Sequence, residues 1–190
     1  MREEEKDYCV WLSKILSKKR FAHVLSVVKE ADYLARKNGA DVEKCRLAAL
    51  LHDCAKEMPL EEMQEICRRE KFVDLSEQDL ENGEILHGFV ASVYVKEKFG
   101  IEDKEILEAI CYHTVGKVGM SLIGKIVYIA DAIEETRNYP NVVAIREKTH
   151  ENLELGILME IEHKLEYLSS IGARLHPNTL EWKKSLEEGN

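Results

Sequence analysis

Histidine and aspartate recur in this chain where an apolar helix would otherwise run on uninterrupted. His52 and Asp53 are adjacent and close an apolar stretch that ends at Leu50-Leu51. An ionised carboxylate beside an imidazole in such surroundings costs on the order of several kcal/mol unless a cation or a hydrogen-bond partner compensates it. A divalent metal is the partner that uses both groups. Further donors sit in similar settings: His23 in Phe21-Ala22-His23-Val24-Leu25, His87 in Ile85-Leu86-His87-Gly88, His113 in Cys111-Tyr112-His113-Thr114, and Asp131 in Tyr128-Ile129-Ala130-Asp131-Ala132. Each has a bland reading on its own. His23 shares a helix face with Val27 and Leu34, where a hydrogen-bonded core histidine is the common case, and Asp131 could meet a distant Arg or Lys. Five such elements on five different helices together favour a metal site. Imidazoles and carboxylates without thiolates suit ferrous iron or manganese and do not make a structural zinc site.

The elements that must position these side chains are helices. Apolar residues recur at three- and four-residue spacing, and period-2 alternation is hard to find, so the expected fold is all-α. Helices are expected over about Glu4 to Leu16 and Lys19 to Lys37, with Asn38-Gly39 as a left-handed stop. Asp41 caps a third that ends at the His-Asp pair, and Pro59 suits the first turn of a fourth, Leu60 to Glu70. Ser76 to Asp79 reads as a short capped turn. Further helices are expected at Glu84 to Phe99, Asp103 to Tyr112, Ser121 to Glu135, Val142 to Leu168 and Thr179 to Glu187.

With 190 residues the chain fits one domain, 1–190, that buries roughly 70% of its unfolded surface. A net charge of -9 argues against a nucleic-acid polymer as partner, which calls for a basic face. Small phosphorylated ligands remain open, because a local Arg or Lys cluster binds them in an acidic protein. The five cysteines form an odd set without CxxC spacing and read as reduced, buried thiols of a cytoplasmic protein. No export signal or membrane span is expected. His150 and His163 have no motif around them and read as helix-surface residues.

The order His23, His52-Asp53, His87, His113, Asp131 resembles the HD superfamily of metal-dependent phosphohydrolases, whose defining ligands run H…HD…D. A narrower resemblance, to the bacterial YqeK family, rests on Lys19-Arg20-Phe21-Ala22-His23, Leu50-Leu51-His52-Asp53-Cys54-Ala55-Lys56, Ile110-Cys111-Tyr112-His113-Thr114-Val115-Gly116, and Ile129-Ala130-Asp131-Ala132-Ile133-Glu134 with Arg137. It implies a single HD-type helical bundle, with motifs over 19–137 and helices of 142–187 packed on it. It also implies an iron-binding hydrolase that cuts diadenosine tetraphosphate symmetrically into two ADP. It assigns His23, His52, Asp53 and Asp131 to metal, with His87 and His113 left between a second ion and phosphate contact. Asp53 and His52 are the expected catalytic pair. Arg20, Lys56, His87, His113, Thr114, Asp131 and Arg137 are expected against the nucleotide, with Pro177, Asn178 and Thr179 closing over it. Cys54 stands where an aromatic is frequent in the family, and Ala132-Ile133-Glu134-Glu135-Thr136 replaces a stretch that often carries Tyr and Pro; neither change removes a ligand. The same site types also fit a hydrolase of a guanosine alarmone, a cyclic dinucleotide or a nucleoside triphosphate, and a diiron oxygenase, although the basic residues weigh against an uncharged substrate. One or two ions and a homodimer through the last long helix are both compatible with the pattern.

Overall fold

The computed structural model describes residues 3–189, with side chains from residue 5 onward. Among the described residues ten α-helices run in the order α1 (Glu3–Ile15), α2 (Lys18–Asn38), α3 (Val42–Leu51), α4 (Leu60–Glu70), α5 (Gly83–Phe99), α6 (Lys104–Tyr112), α7 (Leu122–Ile133), α8 (Val142–Glu151), α9 (Leu153–Ser170) and α10 (Pro177–Glu187), with a 3-10 turn at Asp79–Glu81 before α5. There is no strand among the described residues. Short polar side chains fix the starts. Ser17 accepts the Arg20 amide, Asp41 those of Glu43 and Lys44, Asp103 those of Glu105 and Ile106, and Ser121 that of Gly124. Each satisfies amide groups that the first turn of a helix leaves unpaired.

The buried side chains form one apolar cluster that draws on all ten of these helices. Helix α7 lies at its centre and is apolar nearly all round, from Ile123 through Ile126, Val127, Tyr128, Ile129 and Ala130 to Ile133, which is what a helix covered on all sides requires. α2, α3 and α6 pack against it, and α3 also packs on α2 and α6. The consequence for the site is positional. α3 stops at His52, α6 stops at His113, and Asp131 stands in the last turn of α7, so the C-terminal ends of three helices meet. Their outward carbonyls carry partial negative charge, which favours a cation there.

Several expected boundaries move. The single helix expected from Val142 to Leu168 is two, because Asn152 takes extended backbone (φ -148, ψ 115) and its carboxamide accepts the Leu155 amide. A short amide that bonds its own backbone competes with the helix, and this competition is invisible in the apolar pattern that continues on both sides. α7 ends at Ile133, before Glu134 and Glu135, held there by Arg146, whose guanidinium donates to the carbonyls of Ile133 (2.6 Å) and Glu134 (2.9 Å). Pro59 stands just before α4 and not in its first turn. α10 begins at Pro177 because the His176 ring accepts the Asn178 amide. His150 and His163 are half-buried and not open surface residues: His150 Nε2 meets Glu30 at 2.7 Å, and the His163 ring stacks on Tyr139 at 4.8 Å. All five cysteines are free thiols, four of them buried. No helix among the described residues is long and apolar enough to cross a membrane. In α9, Leu153, Ile157 and Ile161 are buried at home, while Leu155 and Leu165 remain exposed.

Candidate metal centre

His52 and His113 occupy equivalent places, each the residue that ends its helix. His52 Nδ1–H donates to the Ala49 carbonyl (2.6 Å) and His113 Nδ1–H to that of Ile110 (2.7 Å), three residues back in the same helix. Carbonyls at a helix end lack intrahelical partners, so the two rings satisfy them and are oriented by them. His87, in the second turn of α5, turns its Nδ1 to the Gly83 carbonyl at 3.2 Å. His23, in α2, turns Nδ1 to the Glu134 carboxylate at 3.1 Å. All four acceptors can only accept, so the tautomer with its hydrogen on Nδ1 satisfies each of them and turns an Nε2 lone pair toward the cluster. Among them, His23 Nε2 and His52 Nε2 are buried without a hydrogen-bond partner.

Those lone pairs converge on Asp53. Its Oδ2 lies 3.7 Å from His23 Nε2 and 3.4 Å from His52 Nε2, and its Oδ1 lies 3.2 Å from His87 Nε2 and 3.8 Å from His113 Nε2. Asp131 Oδ1 lies 2.9 Å from His23 Nε2 and 3.8 Å from His52 Nε2. Two donor groups result, His23–His52–Asp131 and His52–Asp53–His113, each with its ligand atoms within 4.8 Å of one another. His87 and His113 bring their Nε2 atoms to 2.9 Å. Two lone pairs at that distance repel unless a proton or a cation lies between them. The approach depends on Gly88, where a Cβ would stand 2.8 Å from the Cys111 carbonyl and 3.2 Å from the His113 ring. The donor set therefore fits a bound divalent cation, and no cysteine belongs to either group.

Electrostatics agree with this. Burial raises the Asp53 carboxyl, but the facing His52 and His87 outweigh it and hold it well below the usual carboxylate range. Asp131 follows the same balance: burial raises it, while His23, Arg137 and His52 bring it well down. Burial lowers His52, yet Asp53 and Asp131 raise it above its ordinary value, whereas burial beside His52 and His87 drives His113 well down. Two ionised carboxylates thus draw positive charge to the space among the rings. Burial likewise raises Glu134, and the facing Ser26 and Thr136 hydroxyls, the Thr136 amide and His23 hold it below its ordinary value.

Cations ring the cluster. Arg20 Nη1 donates to Asp53 Oδ2 at 2.8 Å, and Arg137 clamps Asp131 with Nη2 on Oδ1 (2.7 Å) and Nε on the backbone carbonyl (2.8 Å). Thr114 Oγ1 stands 3.4 Å from His87 Nε2 and 3.3 Å from His113 Nε2. Lys56 pairs with Glu84, three residues before His87, at 2.7 Å. The segment 177–179 is tied elsewhere: Asn178 donates to Asp74 (3.1 Å), Thr179 Oγ1 donates to the Val115 carbonyl (2.6 Å), and Pro177 is exposed. It reaches the neighbourhood of the cluster through Val115, next to Thr114. Two contributors carry no role expected from the sequence: Glu134, which ends the Asp131 motif and stands behind His23, and Lys164, which donates to the Thr114 carbonyl at 3.3 Å and to Tyr128 Oη at 2.8 Å. Glu134 lies three residues after Asp131, the spacing that shares a helix face; no feature of the sequence marks Lys164.

A helical scaffold with H…HD…D at its centre defines a class, and the family comparison agrees: the HD domain model matches residues 20–136. Symmetrical bis(5'-nucleosyl)-tetraphosphatase of Bacillus subtilis is 36% identical over 94% of both chains, and its Staphylococcus aureus counterpart is 39% identical over 71% of this chain and 69% of its own. A Clostridium acetobutylicum structure, described as a predicted HD superfamily hydrolase involved in NAD metabolism, is 37% identical and superposes with a TM-score of 0.93 over all of both chains. The chain belongs to the HD domain family and, within it, to the YqeK family.

Proposed function

We propose that this protein is a metal-dependent hydrolase that cuts diadenosine tetraphosphate symmetrically into two ADP, working as one HD-type domain. The observation that carries the reading is the convergence of four imidazoles and two carboxylates into two adjoining donor groups that share His52, flanked by Arg20 and Arg137. The Bacillus subtilis and Staphylococcus aureus relatives carry that activity in their names. Iron, with manganese as its substitute, is the ion proposed for His23, His52, Asp53 and Asp131. The division of Asp53 between two pairs of rings favours two positions, with His87 and His113 serving the second. A bound ion supplies Lewis-acid charge for the phosphoryl oxygens and lowers the pKa of the attacking water. Asp53 orients that water. Arg20, Lys56 and Arg137 neutralise the polyphosphate chain, and Thr114 donates to a phosphoryl oxygen. Pro177 and Asn178 are the residues of this segment proposed to flank the nucleotide, while Thr179, buried and bonded to the Val115 carbonyl, holds the backbone beside Thr114. The proposed setting is cytoplasmic, and the partner is a small dinucleotide, not a nucleic-acid polymer or a membrane. The exposed Leu155 and Leu165 of α9 leave a surface for a homodimer, which light scattering tests.

The test is chromatography of the products formed from diadenosine tetraphosphate by protein loaded anaerobically with ferrous iron. ADP as the sole product, lost on chelation, is expected. An AMP and ATP pair contradicts the symmetrical cut, and absence of turnover in metal-loaded protein sends the search to guanosine and cyclic nucleotides.

Arg137 gives a narrower expectation. Its guanidinium makes charge-assisted contacts, which are worth about 1.5–3 kcal/mol each when the partner is charged. Arg137→Ala is expected to raise KM by roughly 10- to 100-fold with a smaller change in kcat. Steady-state kinetics in which KM stays at the wild-type value would remove Arg137 from the substrate site.

A further inference from the structure

We propose that Glu134 is a positioning residue: its carboxylate holds the Nδ1–H of His23, makes His23 the most strongly donating of the four imidazoles, and so tightens the ion held by His23, His52 and Asp131. This rests on the metal reading above and adds to it a difference between the two donor groups.

Glu134 is fully buried, in contrast to Glu135, whose exposed side chain pairs with Lys29 on the surface. Every contact the Glu134 carboxylate makes is with a donor. Oε1 takes His23 Nδ1–H at 3.1 Å and the Thr136 hydroxyl at 2.6 Å, and Oε2 takes the Thr136 amide at 2.6 Å, with Arg137 Nε 3.9 Å away. The backbone is fixed as well, because Arg146 holds the carbonyls of Ile133 and Glu134. The carboxylate is thus rigid before any ion arrives.

The other three rings differ in one respect. His52, His87 and His113 give their Nδ1–H to neutral backbone carbonyls, and only His23 gives it to a carboxylate. A carboxylate behind an imidazole fixes the tautomer and raises the basicity of the far nitrogen, and loss of such a partner typically weakens metal binding by about 10- to 100-fold. His23 Nε2 is buried, has no hydrogen-bond partner and faces Asp131, so the added electron density is delivered to the first donor group and not to the second.

The test uses metal-free protein titrated anaerobically with Mn2+ alone, free ion being counted by electron paramagnetic resonance. The Glu134→Gln variant keeps an acceptor for the His23 ring and removes the charge. Its dissociation constant for the tighter ion is expected to rise by about 10- to 100-fold, while Thr136→Val, which removes one hydrogen bond to the same carboxylate and leaves the charge, stays near the wild-type value. Equal affinity in Glu134→Gln and wild type overturns the role of Glu134 and leaves the metal site standing. A wild-type protein that takes up no Mn2+ removes the metal reading and the proposal together. If Glu134→Gln does not fold, nitrogen-15 spectra of the metal-free wild type decide: His23 should carry its hydrogen on Nδ1 with the most downfield Nδ1 resonance of the four rings, and a His23 protonated on Nε2 alone defeats the proposal.

Discussion

Replacing Asp53 by alanine is expected to lower kcat by at least about a thousandfold and to strip the protein of most of its metal. The basis is the number of roles that one side chain fills. Asp53 is nearly inaccessible to solvent, and its two oxygens face four rings and the Arg20 guanidinium. Removing one partner of such a buried cluster leaves the others uncompensated, at about 3–5 kcal/mol. The rate falls for a separate reason: losing about 4 kcal/mol of the electrostatic stabilisation that Asp53 and its ion give the transition state slows turnover by roughly three orders of magnitude. Folding should survive, because His52 and His113 stay anchored to Ala49 and Ile110 without any help from Asp53. Circular dichroism, metal analysis and single-turnover rates on one preparation separate these effects. Wild-type turnover in a folded, metal-poor Asp53→Ala protein would remove the proposed site altogether.

The same residue explains why so much of the site is legible in the sequence. An aspartate after a histidine at the end of Leu50-Leu51 is costly wherever it lies in an apolar core, so the pair by itself calls for a compensating charge. Asp131 inside the apolar α7 gives the same signal. The helices that carry these residues are equally readable, because their caps (Ser17, Asp41, Asp103, Ser121) are short polar side chains in front of apolar periodic runs. Glu134 is not readable as a support for His23. It begins a Glu134-Glu135 pair that looks like any solvated charge run, and only tertiary packing makes one of the two fully buried and the other exposed. The break at Asn152 is hidden for a related reason, since the apolar spacing of α8 resumes in α9 after a residue that also occurs inside helices. Lys164 shows the same limit from the other side. A lysine in a mixed helix normally reaches solvent, yet here it lies over the Tyr128 ring and donates to the Thr114 carbonyl, because Glu160 and Tyr128 are buried beside it.

The largest expected effect on stability falls on Trp182. This ring is almost wholly buried, meets Tyr128 edge-on at 4.8 Å and lies against Gly116, where a Cβ would come within 2.1 Å of it. Gly116 also has φ +64, so a glycine there serves both the turn and the ring. Trp182→Ala empties a space bounded by α7 and by the Gly116 turn, and large-to-small changes of this kind cost about 3–5 kcal/mol. That is a large share of the total stability of about 5–15 kcal/mol that a domain usually has. Thr179 is bonded to the Val115 carbonyl from the same helix, so loosening α10 also frees the backbone beside Thr114. Trp182→Ala is therefore expected to lower the urea midpoint sharply and, under conditions where the variant is still folded, to raise KM as the Thr114 hydroxyl loses its fixed place between His87 and His113. Chemical denaturation followed by kinetics at low temperature measures both. A midpoint within error of the wild type would mean that α10 does not seal this end of the core, and a normal KM in a destabilised but folded variant would detach Thr114 from the support that α10 gives it.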